Sequence, residues 1–299
     1  MSAWYWHFSS SGVETWLWLP PLVAFVLSFF CSMVGISGAF LLMPFQMSVL
    51  GFAGPAASAT NLVFNLFATP GGIWRYVREG RMFWPLAGLI TLGTLPGIVL
   101  GFYLRVLYLP DAARFKLFVG AVLLFLSWRL LAGFVPWAAG KPQQSAPLAS
   151  SSDMTLRILR VGRKRVTFAF QGREEGFSTP AMLALAFVVG IIGGTYGIGG
   201  GAIIAPFCIA VFRLPVHAVA GAALAGTFVT SLAGVAVYSF LPLPGGGYAV
   251  PDWWLGSLFG LGGLAGMYLG AAGQRHVPQQ VLKGALGVLL AALGGFYLW

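Results

Sequence analysis

The sequence predicts an all-α polytopic membrane protein made of two homologous halves, each with about four to five membrane segments. Residues 15–74 contain no Asp, Glu, Lys or Arg, and about 20 apolar residues are enough to span a bilayer. Only 8% of the residues are charged and the mean hydropathy is +0.85, whereas soluble domains carry about 25% charged residues. A glycine-rich stretch also occurs twice, which indicates an internal repeat.

The repeat is carried by residues 34–45 and 196–207. These stretches read VGISGAFLLMPF and YGIGGGAIIAPF, and they are identical at five of twelve positions when 162 is added to the first numbering. Residues 1–134 and 179–299 are therefore interpreted as two related transmembrane units.

Apolar runs outline the membrane segments of each unit. In the first unit the runs cover about 16–33, 39–52, 55–74, 83–104 and 115–134. In the second unit they cover about 179–194, 201–212, 215–240, 253–274 and 279–299. Several runs beside the glycine clusters are short, so each pair is predicted to form a Gly-broken or re-entrant helix whose tip lies within the membrane.

Residues 135–178 form a connector with a different composition. They carry seven basic and three acidic residues, and the alternation within residues 156–171 predicts a small β-hairpin. Because Lys and Arg collect in cytoplasmic loops, the connector is predicted to be cytoplasmic. The same rule accounts for the excess of 17 basic over 7 acidic residues, so no nucleic-acid partner is expected.

Inverted repeats, with an odd number of crossings per half, fit this orientation best. They place the uncharged loop 241–251 outside, but they also place the basic residues of loop 105–116 outside, against the rule. Parallel repeats with four crossings per half are the alternative.

The glycine clusters predict a site for a small anion. Glycine accepts left-handed backbone conformations and lets a ligand approach the chain closely. Helices predicted to begin at Ala39 and Ala202 would present unpaired backbone N–H groups and a positive dipole end. Gly-interrupted segments at matching positions in two halves are typical of the substrate site of a secondary transporter. The alternative is that the glycines only permit close helix packing.

The candidate substrate-binding residues are the cluster residues and nearby polar residues of the spans. They are Gly35, Ser37, Gly38, Asn61, Asn65, Thr195, Gly197, Gly199, Gly200, Gly201, Thr227 and Ser231. Asn61 and Asn65 are four residues apart and share a helical face. Hydroxyl and amide donors suit a small oxyanion, and interhelical hydrogen bonding is the alternative role for each.

No catalytic residue, cofactor or metal ligand set is predicted, because the sequence has no phosphate loop, His-Glu-x-x-His motif or cysteine pair. A transporter of another substrate, such as a metal cation or a different small anion, is an alternative function. An intramembrane serine protease is a second alternative, since Gly35-Ile36-Ser37-Gly38 is similar to the rhomboid Gly-x-Ser-Gly motif and His217 would act as its base.

Both glycine-rich stretches, each followed by an apolar helix that reaches Pro-Phe, resemble the TauE/SafE sulfite exporter family of membrane permeases. The second copy, residues 194–201 with Pro206 downstream, is the closer match. The first copy departs from it, with Ser37 in place of glycine. The resemblance implies a multi-pass protein of the bacterial inner membrane that exports or exchanges sulfite, sulfoacetate or related organosulfonates. Its implied partners are a small anion and the lipid bilayer, with a homodimer left open.

Overall fold

The structure is a computed structural model that describes residues 4–33, 35–132, 156–170, 173–212, 214, 216–274 and 279–299. These residues are mostly helical, and the helices follow the predicted apolar runs closely. The helices are α1 (Leu19–Met33), α2 (Ala39–Ser48), α3 (Pro55–Arg78), α4 (Trp84–Tyr103), α5 (Ala112–Leu131), α6 (Thr179–Tyr196), α7 (Ile204–Val211), α8 (Val216–Phe240), α9 (Trp253–Gly273) and α10 (Gln279–Leu298). A π-helical turn, Leu104–Tyr108, extends α4, and a 3₁₀ turn, Gly200–Ile203, precedes α7.

The prediction of an all-α fold needs correction, because two small sheets accompany the helices. Strands β1 (Tyr5–Phe8) and β2 (Val13–Trp16) form an antiparallel hairpin before α1. Strands β3 (Leu156–Val161), β4 (Arg165–Phe170) and β5 (Arg173–Ser178) form an antiparallel sheet in the order β3-β4-β5. The second sheet includes the hairpin that residues 156–171 predict and adds a third strand to it.

Four helical segments in the described ranges are long and apolar enough to cross a membrane. They are Trp84–Tyr108, Thr179–Tyr196, Val219–Phe240 and Trp253–Gly273. The sequence predicted four to five membrane segments in each half, and these four helical segments are fewer. The difference arises because α1 and α2 are short and α3 carries several polar residues. Basic residues near both ends of α5, such as Arg114 and Arg129, lower its hydropathy. The inverted arrangement of the two halves stays a prediction.

Helices from the two predicted units interleave. Helix α4 packs mainly against α6 and α8, and α9 packs mainly against α1 and α3. Helix α3 also contacts α8, and α5 pairs with α10. Each pairing joins a helix before the connector to a helix after it. The main helix contacts therefore join residues 1–134 to residues 179–299. The division of the chain into two repeated units stays a prediction from the sequence.

The N-terminal hairpin is tied to α9 by Asp252. The Oδ1 atom of Asp252 accepts a hydrogen bond from the amide of Leu255 at 2.9 Å, which caps the helix. Its Oδ2 atom accepts from the hydroxyl of Ser11 at 2.7 Å. The Asp252 side chain is only 3% exposed, so this carboxylate joins two parts of the chain that are distant in sequence.

Candidate functional site

The first glycine cluster breaks the chain between α1 and α2. Helix α1 ends at Met33, and Gly35 has a left-handed backbone with φ of 76°. A Cβ atom at Gly35 would also lie 2.9 Å from the Cβ of Ala220 in α8. Both the backbone angle and this close approach require glycine here. Helix α2 begins at Ala39, as predicted, and Ser37 in the break is fully buried.

The second cluster breaks the chain after α6. Helix α6 ends at Tyr196, and Gly197 and Gly199 both have left-handed backbones, with φ of 81° and 73°. The next helix starts as the 3₁₀ turn at Gly200 and becomes α-helical only at Ile204. The prediction of a helix beginning at Ala202 therefore missed the 3₁₀ turn, a feature that is frequent at the ends of α-helices.

Asn65 of α3 joins the two breaks. Its Oδ1 atom accepts a hydrogen bond from the Ser37 hydroxyl at 2.6 Å, and its Nδ2 atom donates to the carbonyl oxygen of Ile198 at 2.8 Å. Tyr196 adds a second link, because its hydroxyl donates to the carbonyl oxygen of Phe40 at 2.9 Å. The two glycine-rich breaks are thus neighbours in the folded chain, although 162 residues separate corresponding positions.

Asn61 lies one turn before Asn65 and faces the start of α2. Its Nδ2 atom donates to the carbonyl oxygen of Ala39 at 3.0 Å, and its Oδ1 atom accepts from Gln46 Nε2 at 3.3 Å. All three side chains, Asn61, Asn65 and Gln46, are fully buried. Asn61 therefore links α2 to α3 next to the first break, while the Oε1 atom of Gln46 is buried without a hydrogen-bond partner.

Helix α8 supplies hydroxyl groups to the second break. The Thr230 hydroxyl oxygen accepts a hydrogen bond from the Gly200 amide at 3.1 Å. The Thr227 hydroxyl donates to the Ala223 carbonyl at 2.8 Å, and it would contact a Cβ placed on Gly201 at 2.6 Å. Ser231 is fully buried beside Gly199, and its hydroxyl has no hydrogen-bond partner.

Thr195 is the candidate whose side chain is directed elsewhere. Its hydroxyl lies 2.8 Å from the Ile191 carbonyl oxygen and 3.1 Å from the Gly101 carbonyl oxygen. Gly101 belongs to α4, so Thr195 supports the contact between α6 and α4. The rotation of α6 directs this side chain toward α4, and the role of Thr195 in substrate binding stays a prediction.

Three polar residues beside the breaks were missing from the sequence-based candidates. Ser28 of α1 contacts Gly38, and its fully buried hydroxyl has no hydrogen-bond partner. A Cβ at Gly200 would lie 2.5 Å from the Cβ of Thr94, and a Cβ at Gly197 would lie 2.5 Å from the Cα of Ser58. Polar residues inside otherwise apolar runs were the available signal.

Protein groups fill the two breaks in this structure. The amide of Ala39 donates to the Ser37 hydroxyl at 3.3 Å, and the amide of Gly200 donates to Thr230. The amides of Ala39 and Ala202 were predicted to face a ligand, and the Ala202 amide donates to the carbonyl oxygen of Gly199 at 3.2 Å. Both amides therefore have partners within the protein. Because the cluster glycines also contact neighbouring helices directly, an anion at the breaks requires these contacts to separate.

The family profile described as "Sulfite exporter TauE/SafE" matches residues 21–297. The chain belongs to this family. The match confirms the resemblance carried by the two glycine-rich stretches, and it extends through the connector. Together with the apolar helices, membership in the TauE/SafE family makes this chain a multi-pass membrane transporter.

Two relatives are similar to this TauE/SafE family member along most of their length. The "Probable membrane transporter protein YunE" of Bacillus subtilis (strain 168) is 20% identical over 274 residues, which are 88% of this chain and 90% of the relative. A "Probable membrane transporter protein" of Xylella fastidiosa (strain 9a5c) is 25% identical over 288 residues, 92% of each chain. No solved structure gives a significant match.

Proposed function

We propose that this protein is a secondary transporter that exports or exchanges small sulfur-containing anions, such as sulfite, sulfoacetate or other organosulfonates. We place it in the bacterial inner membrane, with the connector 135–178 in the cytoplasm. The description of the family as sulfite exporters supports this substrate class. The chemistry at the two chain breaks supports a small oxyanion as the transported species.

The observation that carries the proposal is the contact between both breaks through Asn65. It brings the amides and hydroxyls of two separate glycine clusters into one region. Two buried hydroxyls without partners, Ser28 at the first break and Ser231 at the second, add donors that no protein group uses. An unpaired buried hydroxyl costs about 1–3 kcal/mol, and an oxyanion bound between the breaks would remove that cost.

Alternating access would then involve helices from both halves in each moving body. If residues 1–134 moved as one unit against residues 179–299, α4 would separate from α6 and α9 would separate from α1. These two helix pairs share extensive contacts. We therefore propose that α4, α6 and α8 move together against α1, α3 and α9. These bodies meet where α3 contacts α8, next to both chain breaks, so their separation would open the site.

Efflux of labelled sulfite from proteoliposomes tests this function. The informative variant is Gly200→Leu, because a side chain at this position would overlap Thr94. The matched control is Gly88→Leu in α4, where an added Cβ meets no atom within 4 Å. We expect sulfite efflux from wild type and Gly88→Leu and its loss in Gly200→Leu. Unchanged efflux in Gly200→Leu would refute the placement of the site, and no efflux from wild type would refute the substrate.

A further inference from the structure

Arg105 is a buried cation at the end of α4. It lies in the π-helical turn Leu104–Tyr108, and its side chain is 0% exposed. The Nε atom donates to the Ser58 hydroxyl at 3.3 Å, and Nη2 donates to the Ala53 carbonyl oxygen at 2.6 Å. Nη1 donates to the carbonyl oxygen of Leu109. Its guanidinium carbon also lies 3.7 Å from the centre of the Phe115 ring.

No carboxylate within the described ranges forms an ion pair with Arg105. The nearest acidic residue in sequence, Asp111, instead lies 3.6 Å from Arg114 on the surface. Carbonyl oxygens and an aromatic face solvate the guanidinium without neutralising it. Since a buried charge without a counter-charge costs several kcal/mol, the surroundings of Arg105 favour an anionic partner.

Arg105 bonds to a residue beside the second chain break and is followed by residues that line an open groove. On one side its partner Ser58 contacts Gly197, as described above. On the other side, the residues that follow Arg105 line a groove of about 430 Å³. The groove residues are Pro55, Val106, Leu107, Pro110, Leu243, Pro244, Gly245 and Gly246. None of these lining residues is charged, and Arg105 is a cation directly next to one of them, Val106, in the same π-helical turn.

We infer that Arg105 is the charged recognition residue of the transport path, which binds the anion between the groove and the second break. This inference rests on the proposed function and adds to it the group that selects for negative charge. A guanidinium has five N–H donors, and the contacts above use three, so two remain for the oxygens of a sulfite or sulfonate group. In the proposed orientation the groove lies on the face opposite the cytoplasm. Lys and Arg are disfavoured in loops on that face, and a role in binding the anion explains why Arg105 is present there.

The test compares Arg105→Lys, Arg105→Gln and the matched control Arg114→Gln. Arg114 is on the same side of the protein and its side chain is 69% exposed. The half-saturation concentration for sulfite transport and the thermal stabilisation by sulfite are measured for each purified variant. We expect Arg105→Gln to raise the half-saturation concentration about tenfold or more. Arg105→Lys should keep transport with a smaller increase, and Arg114→Gln should match wild type.

A purely structural role for Arg105 gives a different result. Arg105→Gln would then lower the melting temperature, while the folded protein kept the wild-type half-saturation concentration, and this outcome would overturn the inference. If Arg105→Gln does not fold, the result for Arg105→Lys is used. A lower melting temperature of Arg105→Lys with an unchanged half-saturation concentration also overturns the inference that Arg105 binds the anion. Failure of the proposed function is recognised separately, since wild type itself would then show no response to sulfite.

Discussion

Asn65 donates a hydrogen bond to the carbonyl oxygen of Ile198 across 2.8 Å and so connects α3 to the second chain break. The same amide accepts from Ser37 in the first break. The carbonyl of Ile198 lies between two left-handed glycines, Gly197 and Gly199, where no regular helical partner is available. One side chain therefore satisfies polar groups at both breaks and holds them in contact.

Replacing Asn65 with Asp should disrupt this connection. The shape is preserved, but a carboxylate cannot donate to Ile198, and its charge would repel both that carbonyl and a bound anion. We expect a loss of about 1–3 kcal/mol in stability and a loss of sulfite transport. Thermal unfolding in detergent and proteoliposome efflux measure the two effects. Wild-type efflux from Asn65→Asp would argue against an anion site at the breaks.

The unpaired hydroxyls of Ser28 and Ser231 should matter for transport and not for stability. Neither forms a hydrogen bond within the protein, so Ser28→Ala and Ser231→Ala remove no bond and should leave the melting temperature unchanged or raise it. We expect both variants to show weaker stabilisation by sulfite in a thermal-shift assay.

Thr230→Val is the comparison for these serine variants. The Thr230 hydroxyl accepts from the Gly200 amide, so its removal leaves a buried N–H unpaired and should cost about 1–3 kcal/mol. If Ser231→Ala destabilises the protein as much as Thr230→Val, Ser231 has a structural partner and its assignment to the substrate is wrong.

Gly197→Ala should be more destabilising than its backbone angle alone explains. Left-handed backbone costs a residue with a Cβ about 1–2 kcal/mol, and the new methyl group would also overlap Ser58. The control is Gly246→Ala, with φ of 86° but no atom within 4 Å of the added Cβ. We expect Gly197→Ala to exceed the control by about 1–3 kcal/mol in thermal unfolding. Equal losses would mean that the contact with α3 is easily relieved.

Asp252→Ala should destabilise the attachment of the N-terminal hairpin. It removes the cap of α9 and both hydrogen bonds to Ser11, and loss of a cap alone costs about 0.5–2 kcal/mol. Asp111→Ala is the control, because Asp111 precedes α5 without a capping hydrogen bond. We expect a clear fall in melting temperature for Asp252→Ala and almost none for Asp111→Ala. Similar melting temperatures would contradict the role of the cap and the tie to Ser11.

The helices and both chain breaks could be predicted from the sequence because they depend on local features. Runs of apolar residues predict α4, α6, α8 and α9, and the φ angles of Gly35 and Gly197 follow from glycine's freedom at a turn. The sequence-based list of candidate site residues included Thr195, whose side chain faces α4. It left out Ser28 and Thr94, which contact Gly38 and Gly200. Which side of a helix meets a break depends on helix rotation, and composition does not encode rotation.

The sequence by itself determined the class of the protein, the positions of its breaks and its family, because long apolar runs and repeated glycines leave few alternatives in a bilayer. Only the tertiary structure decided that helices of the two halves interleave and that Asn65 spans both breaks. It also decided that Arg105 is buried and forms no ion pair with a carboxylate of the described residues. These features come from contacts between residues far apart in the chain. Such contacts are set by how whole helices pack together, and no local pattern of residues specifies them.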